Sequence, residues 1–299
     1  MGMNIFPWVS SRQRRGGYSP ACLASTVVES SREAGGFAFG ALVDGKRHQL
    51  TVMLAGEGEA SWGQCDEWES RVGARDQVVA TCGVNVGMFS ARPLMSVTFR
   101  AATKSQREDV SELVTYVAQE YPRVYEAGAA VGLDLVPLSV EDIYQWGGVW
   151  WPSSGGEQQL VWPPQCDVVR GQVGGIEIGQ VACVSYECNF DSSEVGEEFQ
   201  GVLSGLDVVD VVRCARWYRP VMDEHPGGVS GGRRGGVLTV MGSSRQHAEG
   251  LAAGLLHQLS PQARLRVRRV WGRQEMAVVA SAGVGVLGWQ HTGSEVKVA

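Results

Sequence analysis

The cysteines and histidines of this chain carry the side chains that could bind a metal or act in nucleophilic catalysis. Cys183 and Cys188 are close in sequence, but five residues apart in a predicted strand they point to opposite faces. The sequence contains no Cys-x-x-Cys or His-x-x-x-His pair to complete a tetrahedral site, and Cys166 and Cys214 do not supply one by their spacing. We therefore expect structural thiols, no metal and no cofactor.

A catalytic centre also requires partners, because a serine or cysteine nucleophile needs a base within hydrogen-bond reach. His247 and His257 are ten residues apart on a predicted helix, which separates them along its axis. The glycine-rich residues 227–236 lack the Lys-Ser/Thr of a phosphate-binding P-loop. The sequence therefore predicts a protein that is not an enzyme.

Arginines cluster near the C-terminus, where Arg264, Arg266 and Arg268 alternate with Leu265 and Val267. In a strand, this alternation places the three arginines on one face. Three guanidinium groups on a sheet face can bind phosphates or a carboxylate-rich protein. The formal charge of −6, from 26 basic and 32 acidic residues, favours a protein partner and leaves nucleic acid as the alternative.

Residues 147–175 form a segment rich in tryptophan, proline and glycine, which cannot hold regular structure for long. Trp150 and Trp151 within it are candidate partner-binding residues. Tryptophans here could instead line a ligand groove, as in a small-molecule enzyme. We favour a connector whose tryptophans pin it against its neighbours, since large aromatic side chains bury well where a loop must be fixed.

The N-terminal residues 1–34 are predicted to be a disordered tail with basic and aromatic character. Its aromatic, aliphatic and basic residues are Ile5, Phe6, Trp8, Arg12, Arg14 and Arg15. Contact of this tail with an anionic membrane surface is the alternative. No run of about 18 apolar residues and no signal peptide is present, and we expect the seven cysteines to be reduced in a cytoplasmic setting.

The predicted elements follow the same order twice. In residues 35–146, two strands flank Asp44-Gly45, and a helix, two strands, a long amphipathic helix from residue 106, a short strand and a helix capped by Ser139 follow. Residues 176–290 read the same way about 130 to 140 residues later, and residues 291–299 form a tail. The predicted fold class is α+β, with two tandem ferredoxin-like (βαββαβ) repeats, each followed by a helix.

Ferredoxin-like domains include RNA-recognition modules, whose aromatic signature is partly matched by residues 36–39 (GFAF). However, Gly35 stands where a basic residue belongs, and Leu42 where an aromatic residue belongs. The match also falls in the first predicted strand, whereas the signature belongs to the third. These departures argue against RNA recognition.

Two segments resemble a known family. Residues 124–128 (VYEAG) and 132–143 (GLDLVPLSVEDI) are similar to the end of the first cytosolic repeat in EccE subunits of the actinobacterial type VII (ESX) secretion apparatus. Residues 216–221 (RWYRPV) resemble a strand of the second repeat in that family. The glycine-rich loop, helix, strand and terminal helix that follow have the same order.

This resemblance implies a non-enzymatic scaffold subunit that docks other core components, namely membrane-channel and ATPase subunits, at the cytosolic face of the cell membrane. EccE proteins usually begin with two membrane-spanning helices, which are not predicted in this chain. The expected association with the membrane is therefore peripheral, through partner subunits or the N-terminal tail. The alternative function is that of a nucleic-acid-binding or conjugation-associated protein using the arginines of residues 264–269.

Overall fold

The computed structural model describes residues 20, 26–32, 38–56, 60–86, 93–151, 162–166, 169–205, 212–222 and 229–284. It is a mixed α+β structure in which every strand pairing is antiparallel. The elements of the N-terminal half are β1 (Thr26–Arg32), β2 (Ala38–Asp44), β3 (Gln49–Gly56), α1 (Trp62–Gly73), β4 (Val78–Val86), β5 (Leu94–Arg100), α2 (Lys104–Glu108), α3 (Val110–Ala129), β6 (Leu135–Pro137) and α4 (Val140–Trp150).

The C-terminal half repeats this order of elements. Its elements are β7 (Val169–Gln172), β8 (Gly175–Ile178), β9 (Val181–Asn189), α5 (Ser193–Ser204), β10 (Val212–Met222), β11 (Val229–Gly242), α6 (Arg245–Gln258), α7 (Pro261–Leu265), β12 (Val267–Arg269) and α8 (Gln274–Ala280). Strand pairing runs β6-β3-β5-β4 in the first half and β12-β9-β11-β10 in the second.

The two halves share one sheet. Strands β4 and β10 pair from Arg213 opposite Val86 to Tyr218 opposite Thr81, which joins the halves into a 12-stranded sheet. The outer hairpins, β1-β2 and β7-β8, extend the sheet at its two ends. The predicted division into two domains therefore does not correspond to two separate sheets.

Helices cover both faces of the sheet. On one face, α1 and α3 pack on the first half and α5, α6 and α7 on the second. The other face is covered by α4 and α8 in a core that continues across both halves. Adjacent residues such as Val52 and Met53 belong to different cores because side chains alternate along a strand.

The first predicted hairpin is confirmed, although its turn differs. Asp44 is completely buried, and its carboxylate accepts hydrogen bonds from the N–H of Lys46 (3.0 Å) and from the Arg47 guanidinium. The turn spans residues 45–48, and the left-handed residue is His48, with φ of 52°, rather than Gly45. The aspartate side chain thus organises a longer turn than the Asp-Gly pair predicts.

The long amphipathic helix is interrupted near its start. Asp109 is extended (φ −129°, ψ 112°), and its carboxylate accepts from the N–H of Ser111, so that it ends α2 and begins α3. Most of the predicted apolar stripe is buried or partly buried, but Val110 and Tyr125 are 39% and 42% exposed. Pro122 lies inside α3 without ending it.

Several local predictions were wrong. Within the predicted tail, residues 26–32 form β1; its other residues before 26 lie outside the described part, apart from residue 20. Residues 229–236 of the predicted glycine-rich loop belong to β11. The predicted connector contains the end of α4 and all of β7. By contrast, the predicted cap of α4 by Ser139 is confirmed, and Asp142 completes a capping box with it.

Candidate functional site

The three arginines of the predicted strand lie on three different kinds of backbone. Arg264 is in α7, Arg266 is the C-cap of that helix, and Arg268 is in β12. The single strand expected over residues 264–271 is therefore wrong. Pro261 begins helix α7, which extends to Leu265, and only Val267–Arg269 form a strand. Proline suits the first helical position, where its missing N–H costs nothing.

Helix α7 is fixed at its start by α5. The hydroxyl of Ser260 accepts from the N–H of Ala263 (3.2 Å), which caps α7. The same hydroxyl donates to the carboxylate of Glu198 (2.9 Å), which also accepts from the Ser260 N–H. These contacts hold the turn that presents the arginines.

The leucine within this arginine run is unusually exposed. Leu265 is 81% exposed, and Arg264, Arg266 and Arg268, its neighbours in sequence, are exposed as well. Among the described residues, none of the three guanidinium groups has a carboxylate partner. We call Arg264, Leu265, Arg266 and Arg268 the basic edge.

Two neighbouring arginines share one carboxylate. Arg269 and Arg245 both bond to the carboxylate of Glu249, at 2.6 Å and 3.0 Å. Hydrogen bonds from Arg269 and then Arg245 lower the pKa of Glu249. Arg269 also donates to the carbonyl of Gly174 (2.6 Å), which ties the β7-β8 turn to β12. Arg245 and Arg269 thus differ from the three arginines of the basic edge, which have no carboxylate partner among the described residues.

Trp271 lies next to this network. Trp271 is 58% exposed, and the Arg269 guanidinium carbon lies 4.9 Å from the centroid of its ring. A Cβ added at Gly174 would approach this ring to 2.8 Å, so glycine is required for the close contact. No sequence pattern indicated the exposure of Leu265 and Trp271, since apolar residues in a strand-like pattern predict burial.

The other two predicted partner-binding residues have a different setting. Trp151 is completely buried in the core that spans both halves, and its backbone N–H donates to the carbonyl of Gly147 (3.0 Å). Because no part of its side chain is exposed, it contributes to packing and presents no surface to a partner. Trp150 ends α4, but its side chain lies outside the described part.

Two described tryptophans of this region, Trp146 in α4 and Trp162, pack against the core that spans both halves. The indole N–H of Trp146 donates to the carbonyl of Ala282 (2.7 Å), and Trp162 packs against the same core. This is the pinning role predicted for them. The rest of the connector, residues 152–161, is outside the described part, so the predicted alternative of a ligand groove there stays a prediction.

The described cysteines lie in apolar surroundings. Cys183 and Cys188 face opposite sides of the sheet, as their spacing predicts. Burial raises the pKa of Cys183 to about 11 and that of Cys188 well above its usual value. Such thiols are poor nucleophiles near neutral pH because little thiolate forms. Within the described residues, no group of three or more histidine, cysteine or carboxylate side chains could hold a metal ion.

Comparison with known proteins gave no assignment. No protein-family model matches the chain, and no curated protein matches it. None of the helices in the described part is long and apolar enough to cross a membrane.

Proposed function

We propose that this chain is a non-enzymatic docking subunit of a membrane-bound protein-secretion complex of the type VII (ESX) kind. The basic edge carries the proposal. Three exposed arginines without carboxylate partners in the described structure, beside an exposed leucine, contribute little to the fold itself. A surface that combines exposed apolar area with unneutralised charge is suited to a partner protein.

The proposal includes the finer description of the fold as two tandem ferredoxin-like repeats. In support, the pairing orders β6-β3-β5-β4 and β12-β9-β11-β10 are those of a βαββαβ unit, and α4 and α8 follow the two units. Equivalent elements begin about 130 to 140 residues apart, as a duplication requires.

The resemblance to EccE subunits supports the choice of complex. The segment GLDLVPLSVEDI, which carries that resemblance, contains β6 and the start of the capped helix α4. In this proposal the partners are membrane-channel and ATPase subunits. The protein lies at the cytosolic face of the membrane and is held there by those partners or by its N-terminal residues.

Co-purification from detergent-solubilised membranes tests this function. The tagged chain is expected to bring down a secretion ATPase or a channel subunit, identified by mass spectrometry. The triple variant Arg264→Glu, Arg266→Glu and Arg268→Glu is expected to lose that partner. A matched variant that reverses the exposed Arg100, Arg107 and Arg123 is expected to retain it. A chain that recovers neither kind of subunit contradicts the proposal.

Nucleic-acid binding is the second candidate, because unpaired arginines also bind phosphates. Its test is the affinity for single-stranded RNA or DNA over a range of salt concentrations. Three phosphate contacts would give a slope of log K against log salt of about −2 for a single strand. Binding with that slope, lost in the triple Arg→Glu variant, would favour this candidate over the docking subunit.

A further inference from the structure

Strand β12, which carries Arg268 of the basic edge, lies at the margin of the sheet. It pairs with β9, and no other strand pairs with it among the described residues. The N–H of Asn189 donates to the carbonyl of Arg266, and the N–H of Val270 donates to that of Ser185, each at 3.0 Å. Because hydrogen-bonded positions alternate in an antiparallel pair, the backbone groups of Val267 and Arg269 point away from β9. They form a short row open to another strand.

The equivalent strand of the first half is protected. Strand β6 pairs with β3 in the same way as β12 pairs with β9, which aligns Pro137 with Arg269 and Asp134 with Arg266. Pro137 has no N–H to offer to an added strand. Leu133, aligned with Leu265, is only 5% exposed. The second half thus has an open position that is closed in the first.

The side chains around this open position indicate what would fill it. Arg264, Arg266 and Arg268 have no carboxylate partner in the described structure, and Leu265 lies among them. Carboxylates would neutralise the arginines, and an apolar side chain would cover the leucine. An extended backbone would satisfy the outward groups of Val267 and Arg269.

We propose that an extended acidic segment of a partner protein adds to the free edge of β12, with its carboxylates on Arg264, Arg266 and Arg268 and an apolar side chain on Leu265. This deepens the proposed function and rests on it, since it names the chemistry of the docked partner. The mode is strand addition, in which main-chain hydrogen bonds give affinity and side chains give specificity.

A nucleic-acid strand fits this site less well. Bases bind single-strand sites by stacking on exposed aromatic faces. The aromatic ring described next to the site is that of Trp271, and the guanidinium of Arg269 already lies over it at 4.9 Å. Leu265 is aliphatic and offers no stacking surface, and open backbone groups match a peptide.

Fluorescence anisotropy with a defined probe tests the proposal. The probe is a fluorescein-labelled octapeptide of alternating glutamate and valine, and the protein is the full chain. The triple Arg→Glu variant is expected to bind it at least about tenfold more weakly, and to bind a lysine-valine octapeptide that the wild type does not bind. The reversal of preference shows that the variant is folded. The control variant at Arg100, Arg107 and Arg123 is expected to bind the acidic peptide as the wild type does.

A second probe separates strand addition from charge attraction. Replacing alternate valines of the acidic peptide by proline keeps its charge but removes backbone donors, and should weaken binding by about tenfold. Equal binding of the two acidic peptides overturns strand addition. Absence of binding to the acidic peptide overturns the proposal. So does tighter binding to a single-stranded oligonucleotide or to phosphatidylglycerol vesicles than to the peptide.

These outcomes are distinct from failure of the proposed function. If the triple variant still recovers a secretion subunit from membranes but no longer binds the acidic peptide, docking occurs elsewhere on the chain and this site is wrong. If peptide binding behaves as expected but no secretion subunit co-purifies, the strand-addition site stands and the secretion role fails.

Discussion

The indole of Trp62 meets the ring of Phe190 edge-on, with ring centroids 5.2 Å apart. Trp62 is the first residue of α1, in the N-terminal half, yet it is buried in the core of the C-terminal half. Gly196 of α5 allows this, because a Cβ there would lie 2.1 Å from the indole ring. The contact therefore holds the two halves together on the α1 side of the sheet.

Gly196→Ala is expected to destabilise the protein by about 1 to 3 kcal/mol, because the added methyl group must displace Trp62. The measurement is the free energy of unfolding in urea. Gly201→Ala in the same helix is the matched control, since no atom lies within 4 Å of its added Cβ. It is expected to stabilise by about 0.4 to 1 kcal/mol. Equal effects of the two substitutions would contradict the packing role of Gly196.

A second connection between the halves is the ion pair of Asp66 and Arg234, whose side chains lie 2.5 Å apart and are about three-quarters buried. Arg234 also donates to the hydroxyl of Ser70 (3.1 Å). A double-mutant cycle with Asp66→Ala and Arg234→Ala should give a coupling energy of about 1 kcal/mol or more. The exposed pair Glu67–Arg71 in the same helix should couple by only about 0.3 to 0.5 kcal/mol. A coupling energy between Asp66 and Arg234 no larger than that between Glu67 and Arg71 would show that the ion pair does not link the halves.

Gln274 takes the place of a strand beside β9. Between the segments of β9 that pair with β8 and β12, the N–H of Ser185 donates to the side-chain carbonyl of buried Gln274 (2.9 Å). Gln274→Met leaves this buried N–H unsatisfied, and a loss of about 1 to 3 kcal/mol in unfolding free energy is expected. Gln145→Met, at an exposed position in α4, should change stability by less than about 0.5 kcal/mol. A loss at Gln274 as small as that of the control would refute this role.

The pair of arginines on Glu249 predicts a dependence of stability on pH. The hydrogen bonds from Arg269 and then Arg245 lower the pKa of Glu249 in the folded protein below its ordinary value. The Glu249 carboxylate therefore binds a proton less readily in the folded state than in the unfolded state. The stabilisation is fully present above the unfolded-state pKa and is lost as the pH falls through the folded-state pKa. The stability difference between wild type and Glu249→Gln should shrink over that range. An NMR titration giving Glu249 an ordinary pKa would contradict this prediction.

Much of the local structure could be predicted from the sequence. The periodicity around Leu113, Val117 and Val124 predicted the buried side of α3, and the spacing of Ser139 and Asp142 predicted the start of α4. Gly132, just past the end of α3, has a left-handed φ of 77°, which is typical of a glycine after a helix. These features depend on interactions within a few residues, so the sequence pattern is sufficient to locate them.

The candidate site was found only in part. The three arginines were identified from their clustering, but the exposure of Leu265 and the helix that carries Arg264 were not. The start of α7 is also held by the contact of Ser260 with Glu198, 62 residues earlier in the chain, which no local pattern indicates. Trp151 was a candidate partner-binding residue, but it is completely buried in the core that spans both halves.

The sequence by itself determined the order and type of most elements and their repetition, because hydrophobic period and capping are local properties. Tertiary structure alone decided that β4 and β10 join the halves into one sheet, and that Trp62 crosses between their cores. It also placed Pro137, which has no N–H, on the outer side of β6, and Arg269, which has one, at the equivalent position of β12. Such choices depend on which surfaces meet after the elements form, and burial and charge pairing between distant residues are not encoded in any local pattern.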